Sequence, residues 1–197
     1  MSEASCSDLE LVARVCGGDT EAFSGLVSRY QDRICNAAAR LVARSPDAED
    51  IAQEVFLKAF RNLKGFRREA EFSTWLYGIM LNSVRSYWRG QGRRKDVASF
   101  GSTGRSDNPH PSSNPPSPDE GPVELSARSE AVAAVRRAID ELEHDLREVI
   151  VLRDIEGASY EQLAQALGLP LGTVKSRLFR ARSALREKIS PALAGDL

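Results

Sequence analysis

Four side chains in the stretch "LGLPLGTVKSRLFRARSALREK", residues 167–188, could do chemistry on a nucleic acid. At helical spacing Lys175, Ser176, Phe179 and Arg180 share one face, while Val174, Leu178, Ala181 and Leu185 form an apolar stripe on another. In a DNA major groove, lysine and arginine donate to guanine acceptors, a serine hydroxyl bonds either way, and an aromatic ring touches a thymine methyl. Arg177 and Arg182 flank this face and suit phosphates or salt-bridge partners. A short helix, "SYEQLAQA", precedes it, opened by a Ser159/Gln162 capping box and joined through Gly168–Pro170. Helix, tight turn and cationic helix are the parts of a helix-turn-helix; an ordinary helical hairpin with a solvated basic face has the same pattern. Charge contrast favours DNA, because residues 119–161 hold twelve acids against five basic residues.

Two further clusters lie in the first half. "SPDAEDIAQEV" sets Asp47, Asp50 and Glu54 on one side of a helix, with Gln53 beside them. Favourable acid placement at a helix start explains Asp47 and Glu49, but explains Glu54, further in, poorly. "GFRREAEFSTWLYG" gathers Phe66, Phe72, Trp75 and Tyr77 around Arg67 and Arg68, rings that serve either as core or as stacking platforms. "RSYWRGQGRRK" then carries five basic residues and no acid, as a helix tracking a phosphate backbone would. No glycine loop cradles a phosphate, no histidines have metal spacing and no nucleophile motif occurs, so neither an enzyme nor a cofactor is expected. His110 and His144 are expected in solvent.

The elements that must hold these residues are all helical. Leu9, Val12 and Val15 mark a first helix ended by Gly17-Gly18, and Asp19 caps the next, with Phe23, Leu26, Val27, Tyr30 and Ile34 facing inward. Ser45-Pro46 reads as a cap followed by the first helical position, and Ile51, Val55, Ala59, Phe60 and Leu63 as a buried side. A further helix is expected to stop at Gly90. Helices are expected over 131–142 and 146–155. Residues 98–122 hold six of the nine prolines, six serines and three glycines without apolar periodicity. Such a segment cannot offset its ordering entropy. The expectation is an all-α chain of two helical domains, 7–95 and 127–190, joined by a disordered linker over 96–126. With 27 basic and 28 acidic residues the chain is nearly neutral, so its positive charge is local. Cys6, Cys16 and Cys35 have no metal or paired spacing. No signal peptide or membrane-spanning run is evident, and a cytoplasmic protein is expected.

"LREVIVLRDIEGASYEQLAQALGLPLGTVKSRLFRARSALREKI" resembles the promoter-reading domain of bacterial sigma factors, specifically the extracytoplasmic-function group. "GDTEAFSGLVSRY", "DAEDIAQEVFLKAFRNLKGF" and "FSTWLYGIMLNSVRSYWR" resemble the other domain of that group. The resemblance implies that Lys175, Ser176, Arg177, Phe179 and Arg180 meet the upstream promoter element as duplex. It implies that Lys58, Phe66, Arg67, Phe72, Trp75, Arg85 and Ser86 serve the melted downstream element, and that Asp47, Asp50, Gln53 and Glu54 dock core RNA polymerase. It also implies an anti-sigma partner. A dimeric helix-turn-helix regulator acting without polymerase is the competing reading.

Overall fold

The computed structural model describes residues 6–98 and 122–193, with side chains over 6–92 and 130–190. The described residues are helical, with no strand, and form two domains. In the first, Ser7 opens α1 (Asp8–Cys16) with a capping box: its hydroxyl accepts from the Glu10 N–H, and the Glu10 carboxylate accepts from the Ser7 N–H. Asp19 caps a single turn, Thr20–Ala22, that runs into α2 (Phe23–Leu41). α3 (Ala48–Asn62) follows, then a turn at Leu63–Gly65 and α4 (Phe72–Ala98). The start of α3 is looser than expected: the Ser45 hydroxyl accepts from the Asp47 N–H, but helical geometry begins at Ala48.

The second domain holds α5 (Pro122–Asp140), α6 (His144–Ile150) with a π-helical continuation over Val151–Ile155, α7 (Tyr160–Leu167) and α8 (Leu171–Leu193). The capping box at Ser159 and Gln162 is formed as expected. Gly168 ends α7 at φ 66°, a left-handed conformation that glycine adopts without a Cβ penalty. That turn is what lets α8 set Val174, Leu178 and Ala181 against Leu163 and Leu167 in one core.

Four expectations are corrected. Leu9 is exposed, because Leu11, Val12 and Val15 supply the inward face of α1. Phe60 lies 40% exposed and meets Phe23 edge-on. α4 does not stop at Gly90, where nothing crowds the backbone and no left-handed turn is required, but continues to Ala98. α5 starts at Pro122, nine residues ahead of the expected 131, where proline suits a helix start. The expected linker therefore lies mostly outside the described residues, as does His110.

The two domains do not stand apart. Their buried side chains form one continuous cluster, with Ile34, Leu41, Leu76 and Met80 of the first joined to Val149, Val151, Leu152 and Leu163 of the second. α4 crosses α7 closely at Gly78, where an added Cβ would lie 3.6 Å from the Ala166 carbonyl oxygen. Buried Arg147 spans the seam, donating to the carbonyls of Leu41 at 2.8 Å, Leu142 at 3.0 Å, Ile139 at 3.1 Å and Asp140. Carbonyls at helix ends lack helical partners, so one guanidinium satisfies α2 and α5 together. Among the described residues no helix is long and apolar enough to cross a membrane.

Candidate nucleic-acid interface

The outer face of α8 is open. Phe179 is 73% exposed, an unfavourable position for a ring unless something covers it, and Lys175, Ser176 and Arg180 are exposed around it. The Lys175 ammonium lies 5.9 Å from the centre of the Tyr160 ring, and the Ser176 hydroxyl donates back to the Thr173 carbonyl at 2.9 Å. The flanking arginines are held differently. Arg182 makes a two-pronged pair with Asp154, at 2.5 and 3.1 Å, and Arg177 lies 3.7 Å from Asp145. Packing and pairing thus fix the backbone of the helix while Lys175, Phe179 and Arg180 project outward.

A second face is built on α4 and the loop before it. Phe66, Phe72 and Trp75 meet in one aromatic cluster with centroids 5.3 to 5.9 Å apart. Phe72 is 2% exposed and also packs on Tyr30; Phe66 is buried, and Trp75 is half-buried. Phe72 therefore lies inside the domain, while buried Phe66 and half-buried Trp75 both border the cavity beside it. A cavity of about 540 Å³ opens here, lined by Arg67, Arg68, Trp75, Asn82 and Arg85 on one side and by Gln165 to Gly168 of α7 on the other. Thr74, in its lining, is buried with an unpaired hydroxyl. Lys58 is engaged by Glu54 at 3.0 Å and by the Ser83 hydroxyl at 2.9 Å, outside the lining of the cavity. The Ser86 hydroxyl donates to the Asn82 carbonyl and accepts from Arg89.

Arg85 does not face solvent freely. Its Nε and Nη2 each donate to Glu148 of α6 at 2.7 Å, and that acid is 2% exposed. The carboxylate holds the Arg85 pKa above its ordinary value, outweighing the effect of burial. Nearby, Glu156 gathers Arg33 at 3.4 Å, Arg40 at 3.9 Å and the Tyr77 hydroxyl at 2.9 Å. Burial, then the Glu156 charge, pushes the Tyr77 phenol far above its usual value, so it remains a donor. Gln162 donates to Glu71 at 2.8 Å, and His144, expected in solvent, stacks flat on Trp88 at 3.8 Å.

A third face is acidic. Asp50, Gln53 and Glu54 are exposed along α3, and Asp47 accepts from the Ser45 hydroxyl at its head. Leu57, 55% exposed, continues the same face.

Asn82, Glu148, Glu156 and Arg147 escaped the sequence reading. For Asn82 a signal existed: it stands with Trp75, Gly78, Ile79 and Ser86 at three-to-four spacing on α4 and carries the side-chain amide that Ser86 lacks. The acids were visible only as a count, with nothing to say which cations they would meet.

Comparison with known proteins matches both domains. A model of Sigma-70 region 2 covers residues 26–94, and one of Sigma-70, region 4 covers residues 133–185. The chain is 39% identical over 187 residues to the ECF RNA polymerase sigma-E factor of Escherichia coli, covering 95% of this chain and 96% of the relative. It is 38% identical over 186 residues to the RNA polymerase sigma-H factor of Pseudomonas aeruginosa, covering 94% and 95%. Among solved structures it resembles the sigma factor RpoE from Bartonella quintana in complex with the anti-sigma factor NepR, at 27% identity and a TM-score of 0.68, over 85% of this chain and 96% of that one. CnrH in complex with the cytosolic domain of CnrY follows at 29% identity and a TM-score of 0.62, over 95% and 97%.

Proposed function

The chain belongs to the extracytoplasmic-function sigma factors of RNA polymerase, and on that premise we propose how its faces divide the start of transcription. As a sigma factor it is no enzyme; it binds core RNA polymerase and directs initiation at promoters. Matches to both domains in order set aside the dimeric regulator. In our reading residues 7–95 dock polymerase and take the downstream element, 127–190 take the upstream element, and 96–126 connect them. Lys175, Ser176, Phe179 and Arg180 read base edges of the upstream duplex, and Arg177 serves phosphates. Arg182, tied to Asp154, supports the helix.

On the downstream side, Arg67, Trp75 and Arg85 surround the cavity that would take an unstacked base, with Asn82 on the same wall. A base drawn from its stack loses a few kcal/mol and needs a close-fitting pocket to regain them. Phe66 and Phe72 back Trp75, and Lys58 and Ser86 lie along the path of the strand. Asp47, Asp50, Gln53 and Glu54 meet the polymerase. The anti-sigma partner of RpoE supports such a protein as a further partner, and the cytosolic domain bound to CnrH supports the cytoplasm as the site of action.

The observation that carries this reading is the exposed group around Phe179 on α8, which no other part of the chain covers among the described residues. Its test is reconstitution. Purified chain added to core polymerase should start transcripts at a restricted promoter set, and Arg180→Ala should relax base choice in the upstream element alone. Equal loss on every sequence would refute the assignment of Arg180.

A further inference from the structure

Residues 119–161 pair twelve acids with five basic residues, and neither polymerase docking nor base reading uses them. The structure shows where two of these acids go. Glu148 enters the seam to make a parallel, two-pronged contact with Arg85, and Glu156 takes Arg33, Arg40 and Tyr77. A guanidinium meets a phosphate in the same fork geometry it uses for a carboxylate. The Nε/Nη2 edge of Arg85 therefore cannot hold both partners.

We propose that the second domain masks the single-strand face of the first, with Glu148 standing in for a DNA phosphate on Arg85. The proposal rests on the reading of that face given above. α7 completes the mask, since Gln165 to Gly168 wall the cavity opposite Trp75 and Asn82, and the close Gly78–Ala166 crossing holds that wall in place. The other two faces stay available: the α8 group and the Asp50, Gln53 and Glu54 row are exposed. The masked chain is thus able to dock polymerase and touch duplex, but not to take a melted strand. The order of events follows. Docking comes first, separation of the domains second, strand capture third, and separation is driven by whatever polymerase offers each domain at a distance.

The burial of Glu148 suits a switch rather than a permanent bond: at 2% exposure its desolvation cost is offset largely by the bidentate Arg85 contact, so the closed state is held by a small net energy that polymerase contacts can outweigh. Opening exposes the acid to water and frees Arg85 in one movement, so the switch has few intermediate states.

The test uses the full chain in two forms. Glu148→Gln keeps the shape and removes the charge. A lock is made by Gly78→Cys with Ala166→Cys in a background of Cys6→Ser, Cys16→Ser and Cys35→Ser; a Cβ at 78 lies 4.0 Å from the Ala166 Cα, and the bond is verified by mass spectrometry before the oxidised form is used. The probe is a short fluorescein-labelled single-stranded oligodeoxynucleotide, followed by anisotropy without polymerase. Loss of one charge-assisted contact should tighten Glu148→Gln binding about tenfold over the parent. The oxidised lock should bind several-fold more weakly than its reduced form, and in holoenzyme should dock polymerase yet open no promoter bubble until reduced. Equal strand binding and bubble opening by oxidised and reduced lock would overturn the mask while leaving the strand face standing. If instead no form binds strand and Arg85→Ala holoenzyme opens promoters normally, the strand face itself was misassigned and the mask falls with it.

Discussion

The two cationic faces of this chain differ in what their arginines are doing. On α8, Arg180 and Lys175 project beside an uncovered Phe179, and the paired arginines, Arg177 and Arg182, stand at the flanks. On α4, Arg85 is clamped by an acid from the other domain and the cavity beside it is walled by α7. Duplex reading needs a rigid helix and nothing more, since the groove comes ready formed. Strand capture needs a base already out of its stack, so a face that binds single strands too early would bind the wrong ones. Exposure and charge alone do not mark a nucleic-acid surface as active.

The largest effect tests whether the faces share one foundation. Leu163 is fully buried in the cluster that runs through both domains. Leu163→Ala should cost about 2–5 kcal/mol, read from denaturant unfolding. A continuous core predicts that the loss appears in a single transition followed equally by Trp75 and Trp88 fluorescence and by circular dichroism. Two separate transitions would mean that the seam holds too little energy to shut one face.

Next comes the contrast within α8. Arg180→Ala should cost about 1–3 kcal/mol of discrimination at one upstream base step in holoenzyme binding, the worth of a bidentate base contact. Arg182→Ala should cost under about 1 kcal/mol, because its half-exposed pair with Asp154 is screened by solvent. A reversal of these two would mean that the face is rotated about the helix axis. Ser159→Ala acts on the turn rather than on the face. It removes the acceptor for the Gln162 N–H and should cost about 1 kcal/mol of thermal stability, without altering base choice.

Much of this was legible beforehand. The caps at Asp19 and Ser159, the glycine turn into α8 and the apolar stripe of Val174, Leu178 and Ala181 follow from local rules of spacing and hydrogen bonding. What the sequence did not show depends on contacts between residues far apart in the chain. Phe72 and Trp75 differ by three positions and look alike as letters, yet one is core and the other rims a cavity. Arg85 reads as a free strand contact until Glu148, 63 positions later, is placed beside it. Charge counts locate acids in a segment; only the packing of α6 against α4 decides which cation each one meets.

The smallest effect concerns a third acid at the same seam. Asp140 lies 3.6 Å from Arg44, yet its carboxyl is held above its ordinary pKa, burial outweighing the arginines at 44 and 147. A carboxyl whose pKa is higher folded than unfolded binds more protons folded in the window between the two values. Stability therefore falls as pH rises through that window, upward from the usual aspartate range. Asp140→Asn keeps the shape and discards the ionisation. It should stabilise the chain at neutral pH by less than about 1 kcal/mol, a half-exposed pair being worth little, and the gain should vanish where aspartate is protonated in both states. Urea midpoints at neutral and acid pH measure it. If Asp140→Asn is instead less stable at neutral pH, the Arg44 contact outweighs burial there. All three seam acids would then draw the domains together, and the shut face would be held by charge along its whole length rather than at Glu148 and Glu156 alone.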